Sequence, residues 1–78
     1  MQYTGVYTEI MKSDSVKLGK NLKSIRTKKN ISQGQIARIL KVGRSFITNI
    51  ENGKTNPTLD TIAKIAKAIG VSVGELMK

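Results

Sequence analysis

The sequence of 78 residues predicts an all-α domain built from five helices. Two observations carry this prediction. Apolar residues recur at helical spacing along the chain, as with Leu18, Leu22 and Ile25 at i, i+4 and i+7. Residues that begin or end helices, such as Ser, Thr, Asn and Gly, fall between the apolar segments. A chain of this length forms a single domain with a modest core.

The first predicted helix covers about residues 16–29. Asp14 or Ser15 can cap its N-terminus. Asn30 should end the helix, because asparagine tolerates the left-handed conformation that often closes a helix.

Two short helices follow with almost no connection between them. Ser32 and Gln35 form a capping-box pattern at the start of the second helix, which is about two turns long. Residues 41–43 leave room only for a tight turn before a third helix, which Gly53 should end. This arrangement predicts a helix-turn-helix within residues 33–52.

The last two predicted helices also have capping signals. Thr58 begins the fourth helix and Gly70 ends it. Ser72 and Glu75 repeat the capping-box pattern at the start of the fifth. The apolar residues of the fourth helix are Leu59, Ile62, Ala63, Ala66 and Ile69.

Residues 1–14 form a predicted N-terminal arm ahead of a domain over residues 15–78. The arm is rich in strand-favouring residues, but one short segment cannot form a sheet alone. Tyr3, Tyr7, Ile10 and Met11 would equally fit one face of a helix. We expect the arm to be ordered only if it docks on another surface, and disordered otherwise.

The net charge of +9 is concentrated in one stretch. Residues 15–50 contain nine Lys and Arg and no Asp or Glu, whereas the rest of the chain has five of each sign. A surface of this kind favours polyanions, either nucleic acid or an acidic membrane face. A solvated, lysine-rich face kept for solubility would give the same pattern.

The absence of Cys and His argues against several kinds of site. Disulfides, thiolate metal sites and His-based catalysis are excluded, and five scattered carboxylates leave few routes to acid–base chemistry. We therefore expect no enzyme activity, no catalytic residue, no metal, no cofactor and no small-molecule ligand. Without a long apolar run, neither a signal peptide nor a membrane span is predicted, and we expect a cytoplasmic protein.

A short helix, a tight turn and a second short helix can place the second helix in the major groove of DNA. We expect the two helices to contact each other through Ala37, Val42 and Ile47. Four polar residues then share the outward face of the third helix, because positions i, i+1, i+4 and i+5 lie together: Arg44, Ser45, Thr48 and Asn49. Arginine can bind guanine and asparagine adenine, so this face suits base reading, although an ordinary solvent-exposed face is the alternative.

The sequence resembles a family, the helix-turn-helix proteins of the Cro and phage-repressor type, often called the XRE family. The resemblance covers residues 18–77 and includes Ser-Gln-Gly-Gln-Ile-Ala at 32–37, Arg-Ser-Phe-Ile-Thr-Asn-Ile-Glu-Asn-Gly at 44–53, Asn-Pro-Thr-Leu at 56–59 and Ala-Ile-Gly-Val-Ser-Val at 68–73. It implies a compact, five-helix, lambda-repressor-like domain that binds double-stranded operator DNA as a homodimer and regulates transcription.

The resemblance also implies roles for single residues. The base-reading positions fall on Arg44, Ser45, Thr48 and Asn49. The phosphate-binding positions fall on Gln33, Arg38, Asn52, Lys54 and Thr55. Arg26 and Glu51 match a partly buried ion pair between the first and third helices, whereas the alternative for Glu51 is an ordinary surface acid.

Some residues depart from the family pattern. Lys41 stands where the family usually has Gly, so we expect either a positive φ at this residue or a different turn. Gly34 replaces a common acid, and Gly43 replaces the usual Ser or Thr cap of the third helix. Phe46 resembles the aromatic residue of restriction-modification controller proteins within the family, or it simply packs beneath the third helix.

The fifth helix offers apolar side chains with little chain left to cover them. We therefore predict a dimer interface formed by Val71, Val73, Leu76 and Met77. A contact with RNA polymerase is expected only if the protein is an activator. An antitoxin-type module that binds a protein partner as well as DNA is the alternative function, with the arm as the partner surface. RNA binding is disfavoured, because the chain has only three aromatic residues for stacking on bases.

Overall fold

The structure, a computed structural model, describes the backbone of residues 2–78 and the side chains from residue 14 onwards. Within this part of the chain it consists of five helices and no strand, which confirms the predicted all-α fold. The helices are α1 (Gln2–Lys28), α2 (Gln33–Leu40), α3 (Arg44–Glu51), α4 (Leu59–Ile69) and α5 (Val73–Met77).

The first helix is longer than predicted, since it begins at Gln2 rather than near residue 16. Asp14 and Ser15 therefore lie inside α1 and do not cap it, and Ser15 is buried. The reason is that no proline interrupts this stretch, and a glycine inside a helix costs only about 1 kcal/mol relative to alanine. The side chains of residues 1–13, Tyr3 and Tyr7 among them, lie outside the described ones, and docking of the arm stays a prediction.

The predicted caps are present in the structure. Ser32 and Ser72 each accept a hydrogen bond from a backbone N–H three residues later, completing capping boxes with Gln35 and Glu75. Thr58 caps α4 through the backbone N–H of Thr61. These caps satisfy backbone donors that a helix N-terminus otherwise leaves unpaired, and so they fix where α2, α4 and α5 begin.

Two non-glycine residues close helices in the left-handed conformation. Asn30 follows α1 with a φ of 59°, and Lys41 ends α2 with the same φ. Lys41 thus takes the positive φ, at a cost of roughly 1 to 2 kcal/mol for a residue that has a Cβ. Its conformation allows the backbone N–H of Val42 to reach the carbonyl oxygen of Ala37 at 2.9 Å.

The core lies between the five helices: α1 packs on α3 and α5, α2 packs on α3 and α4, and α4 packs on α5. It contains Leu18, Leu22, Ile36, Ala37, Ile47, Ile50, Ile62, Ile65, Ala66, Ile69 and Leu76. Val42, which was predicted at the contact of the second and third helices, is 36% exposed in the turn between them. In α4, Ala63 is exposed and Leu59 is 72% exposed, because α4 turns a narrower face to the core than its apolar residues suggest.

Leu76 was predicted at a dimer interface, and this prediction is wrong. Its side chain is fully buried within the single chain, so it cannot contact a second copy. The fifth helix folds back against α1, where the side-chain amide of Asn21 donates to the carbonyl oxygen of Leu76 at 2.7 Å. Val71, Val73 and Met77 are half-buried and pack at the edge of the core.

A glycine sets the distance between α1 and α3. A Cβ on Gly19 would overlap the carbonyl oxygen of Ile50 and would lie 2.6 Å from that of Glu51. Only a residue without a side chain permits this approach of the two helices. The close approach places α1 directly against the C-terminal end of α3.

Candidate nucleic-acid interface

The second and third helices form a compact pair across the turn at residues 41–43. Ile36 and Ala37 of α2 and Ile47 of α3 are buried, so the apolar faces of both helices turn towards the core. Gly43 occupies the N-cap of α3 without a side-chain hydrogen bond. Phe46 is half-buried and packs against the core beneath α3.

The opposite face of α3 carries the four residues predicted to read bases. Arg44 and Ser45 are exposed, and Thr48 and Asn49 are half-buried. They lie on the side of the helix away from buried Ile47, as their spacing requires. The face is polar and carries a single formal charge, that of Arg44.

Gln33 connects this face to the start of α2. Its side-chain oxygen accepts hydrogen bonds from Thr48 Oγ1 at 2.9 Å and from Arg44 Nε at 3.3 Å. Its side-chain nitrogen donates to Glu51 Oε1 at 2.9 Å. The amide therefore touches both ends of α3, which limits the positions that Arg44 and Thr48 can take.

Arg26 and Glu51 form a bidentate ion pair between α1 and α3. Arg26 Nε lies 2.6 Å from Glu51 Oε2, and Arg26 Nη2 lies 3.0 Å from Glu51 Oε1. The side chains are 11% and 2% exposed, and Arg26 also donates to the carbonyl oxygen of Ile31 at 2.9 Å. Together with Gln33, this pair completes a continuous set of hydrogen bonds from α1 to the exposed Arg44.

The connection after α3 is turned sharply by hydrogen bonds to the end of that helix. The backbone N–H of Lys54 donates to the carbonyl oxygen of Asn49 at 2.9 Å, and Gly53 has a φ of 70°. Asn52 and Lys54 are exposed, and Thr55 is half-buried. These three predicted phosphate-binding residues thus lie together at the C-terminal end of α3.

Arg38 lies apart from the other predicted phosphate-binding residues. It is five residues after Gln33 in α2, which places the two side chains about 140° apart around the helix axis. Arg38 is exposed beside Gln35 and Ile39 on the outward face of α2. The structure brings Gln33 to α3 but does not bring Arg38 there.

A family model described as helix-turn-helix matches residues 22–76, which is most of the chain. The chain belongs to the helix-turn-helix family, in its Cro and phage-repressor type. Among its relatives, the control protein C.BamHI of Bacillus amyloliquefaciens is 40% identical over 60 residues, covering 76% of this chain and 74% of the relative. An immunity repressor of Bacillus phage phi105 is 32% identical over 60 residues, but the match spans only 42% of its length.

Solved structures agree with the assignment of this chain to the helix-turn-helix family. The restriction-modification controller protein C.AhdI from Aeromonas hydrophila is 36% identical with a TM-score of 0.77, over 82% of this chain and 97% of that one. The controller protein C.Esp1396I, as a tetramer in complex with its natural 35-base-pair operator, is 26% identical with a TM-score of 0.69, over 82% of this chain and 95% of that one.

Among the described side chains, only two ion pairs occur, Arg26–Glu51 and the exposed Lys64–Asp60 at 3.2 Å. The described residues do not bring together three potential metal ligands. Of the helices described, none is both long and apolar enough to cross a membrane.

Two features of this site were missed in the sequence. Gly19 sits in the middle of a helical pattern, and a glycine there can signal a close backbone approach. Gln33 was expected to act only on phosphate, whereas in the structure it binds Arg44, Thr48 and Glu51. No sequence signal reveals this second role, because side-chain hydrogen bonds between helices depend on how the helices pack.

Proposed function

We propose that this chain is a sequence-specific regulator of transcription that binds double-stranded DNA as a homodimer. Each subunit places α3 in the major groove of one half of a two-fold symmetric operator. One observation carries the proposal: α3 is buried on one face and packed against α2, and its other face presents Arg44, Ser45, Thr48 and Asn49.

In this function Arg44 and Asn49 read bases. The forked guanidinium of Arg44 matches the O6 and N7 acceptors of guanine, and the amide of Asn49 matches adenine. Arg44 uses Nε to reach Gln33, so its terminal nitrogens remain for the base. Ser45 and Thr48 add shorter hydrogen-bonding groups to the same face.

The phosphate contacts lie on either side of α3. Gln33 has a second amide hydrogen beyond the one given to Glu51, and it can donate this hydrogen to a phosphate oxygen. Asn52, Lys54 and Thr55 bind the backbone from the other end of α3. Arg38 stays a proposed phosphate contact, although it faces away from Gln33.

Assembly of two copies is supported by the controller protein C.Esp1396I, whose tetramer occupies a 35-base-pair operator. With Leu76 in the core, the proposed interface is reduced to Val71, Val73 and Met77. Two recognition helices in one dimer should read half-sites about 34 Å apart, one turn of DNA. Met77→Glu should give monomers by sedimentation equilibrium, and persistence of the dimer would move the interface to residues 3–11.

No catalytic, metal or cofactor role is part of this proposal, since the site holds only hydrogen-bonding groups and cations around one buried carboxylate. A contact with RNA polymerase is proposed only for the case that the protein activates transcription. The names of the relatives include both immunity repressor and control protein, so they support a regulatory function.

Selection of bound sequences from a random DNA pool tests the proposal. We expect enrichment of one site with two-fold symmetry and a G·C pair in each half that depends on Arg44. Enrichment without symmetry would contradict the dimer. Failure to enrich any sequence would contradict sequence-specific binding, and preference for an RNA pool would contradict binding to duplex DNA.

A further inference from the structure

Three contacts hold one side of α1 against the C-terminal end of α3. Val16 packs on Gly53, where an added Cβ would lie 3.1 Å from Val16 Cγ2. Gly19 meets the carbonyl oxygens of Ile50 and Glu51. The third contact is the ion pair of Arg26 with Glu51. Residues 16, 19 and 26 lie on one side of a helix, so this side faces the end of α3 and the loop after it.

Two lysines extend from the same side of α1. Lys23 is four residues after Gly19 and three before Arg26, and Lys20 is four residues after Val16. Residues at these spacings are neighbours on a helix surface. Both lysines are exposed, so their side chains leave the helix beside the α1–α3 contact rather than entering it.

These lysines have no partner in the described structure that explains their charge. Neither lies within 4 Å of a described carboxylate, and residues 15–28 contain no acid. The contact of Val16 with Gly53 joins this side of α1 to the loop of residues 52–55, which is expected to bind phosphate. Unpaired cations beside such a loop raise the local potential for the same polyanion.

We propose that Lys20 and Lys23 bind DNA phosphates next to those held by the loop of residues 52–55. The contact rests on the proposed function, and it extends the DNA-binding surface from the helix-turn-helix onto α1. It carries no base preference, because it reaches only the sugar–phosphate backbone. Its contribution is affinity that depends on salt, through release of counterions from the DNA.

The test compares two double variants with the same loss of charge on the same helix. Lys20→Ala/Lys23→Ala removes the proposed contacts. Lys17→Ala/Lys28→Ala is the matched control, because both of its lysines are exposed and lie roughly opposite the side of α1 that meets α3. Binding to the selected operator is measured over a range of salt concentrations, and melting temperatures verify that both variants fold.

We expect the first variant to reduce the salt slope by about 1.8 per subunit, from a contribution of about 0.9 for each phosphate contact. The affinity of the unchanged protein falls as salt rises from about 50 to 200 mM. In the variant this fall should be smaller by a factor of roughly ten per subunit. The control variant should keep most of the original slope, and discrimination between operator and random DNA should survive in both.

Equal changes in the two variants would overturn the proposal, because they would reflect the overall charge of the domain rather than a contact. An unchanged slope in the first variant would also overturn it. Neither result would touch the proposed function as long as the unchanged protein still selects a symmetric operator. The proposed function itself fails only if the unchanged protein does not select a symmetric operator, which is a separate outcome.

Discussion

The two ends of α3 have opposite surroundings although the helix is only eight residues long. At the N-terminal end, Arg44 and Ser45 are exposed, and their one described link to another helix is a hydrogen bond from Arg44 to Gln33. At the C-terminal end, Ile50 and Glu51 are buried beneath α1. The comparison indicates that the C-terminal end of this helix contributes to stability, whereas the exposed N-terminal end is open to the DNA contacts proposed for it.

Breaking the ion pair at the buried end should have the largest effect. Glu51→Gln leaves Arg26 buried without its countercharge, and we expect the free energy of unfolding to fall on the order of 3 kcal/mol. Urea unfolding without DNA measures it. Asp60→Asn is the control, because the exposed Lys64–Asp60 pair should contribute less than about 1 kcal/mol. Equal, small losses in both variants would show that the buried Arg26–Glu51 pair contributes no more stability than an exposed ion pair.

A methyl group added at Gly19, where α1 contacts α3, tests the same end of α3. This substitution changes the size of the side chain and leaves the charge unchanged. Gly19→Ala should destabilise the domain by about 1 to 3 kcal/mol, because its Cβ meets backbone that cannot move aside. The matched variant Gly34→Ala should instead stabilise by up to about 1 kcal/mol, since its Cβ has only Ser32 Oγ nearby, at 3.8 Å. Thermal melting distinguishes the two signs, and a stabilising Gly19→Ala would contradict the close approach.

The exposed end of α3 should respond in binding and not in stability. Arg44→Ala should cost about 1 to 3 kcal/mol per half-site on the selected operator and relax one base pair, with little loss on random DNA. Lys54→Ala should weaken binding to both kinds of DNA alike. Titrations with operator and random duplexes compare them. If Arg44→Ala weakens both equally, Arg44 binds phosphate, and base reading falls to Ser45, Thr48 and Asn49.

The turn before α3 should give the smallest effect. Lys41→Gly removes the cost of a left-handed residue with a Cβ, and we expect a gain of about 1 kcal/mol or less in the free energy of unfolding. Lys41→Ala serves as the control, because it removes the same charge and keeps the Cβ. A gain in both variants would assign the effect to charge rather than to the backbone.

Most of the fold was predictable, because capping residues and helical spacing act locally. Ser32, Thr58 and Ser72 mark helix starts through hydrogen bonds that span only three residues. Apart from the start of α1, which lies at Gln2 rather than near residue 16, the errors concern contacts between helices. Leu59 and Leu76 are both apolar residues at helical spacing, yet the first is exposed and the second buried. Spacing identifies an apolar face but not the helix that covers it.

The candidate site shows the same division between local and distant information. The outward placement of Arg44 and Thr48 follows from the periodicity of α3 alone. The hydrogen bonds of Gln33 to these residues join positions 11 and 15 apart in sequence, and the Gly19 contact joins α1 to α3. Such interactions depend on how whole helices pack, which the pattern of one helix does not contain.

Burial of Glu51 has a consequence for the rate at which the domain meets its partner. It is the only acid in residues 15–59, and with its side chain 2% exposed and paired with Arg26 it adds little to the field outside the protein. An approaching polyanion is therefore attracted over this whole stretch and repelled nowhere in it. Encounter should be faster than unassisted diffusion at low salt and should slow as added ions screen the attraction.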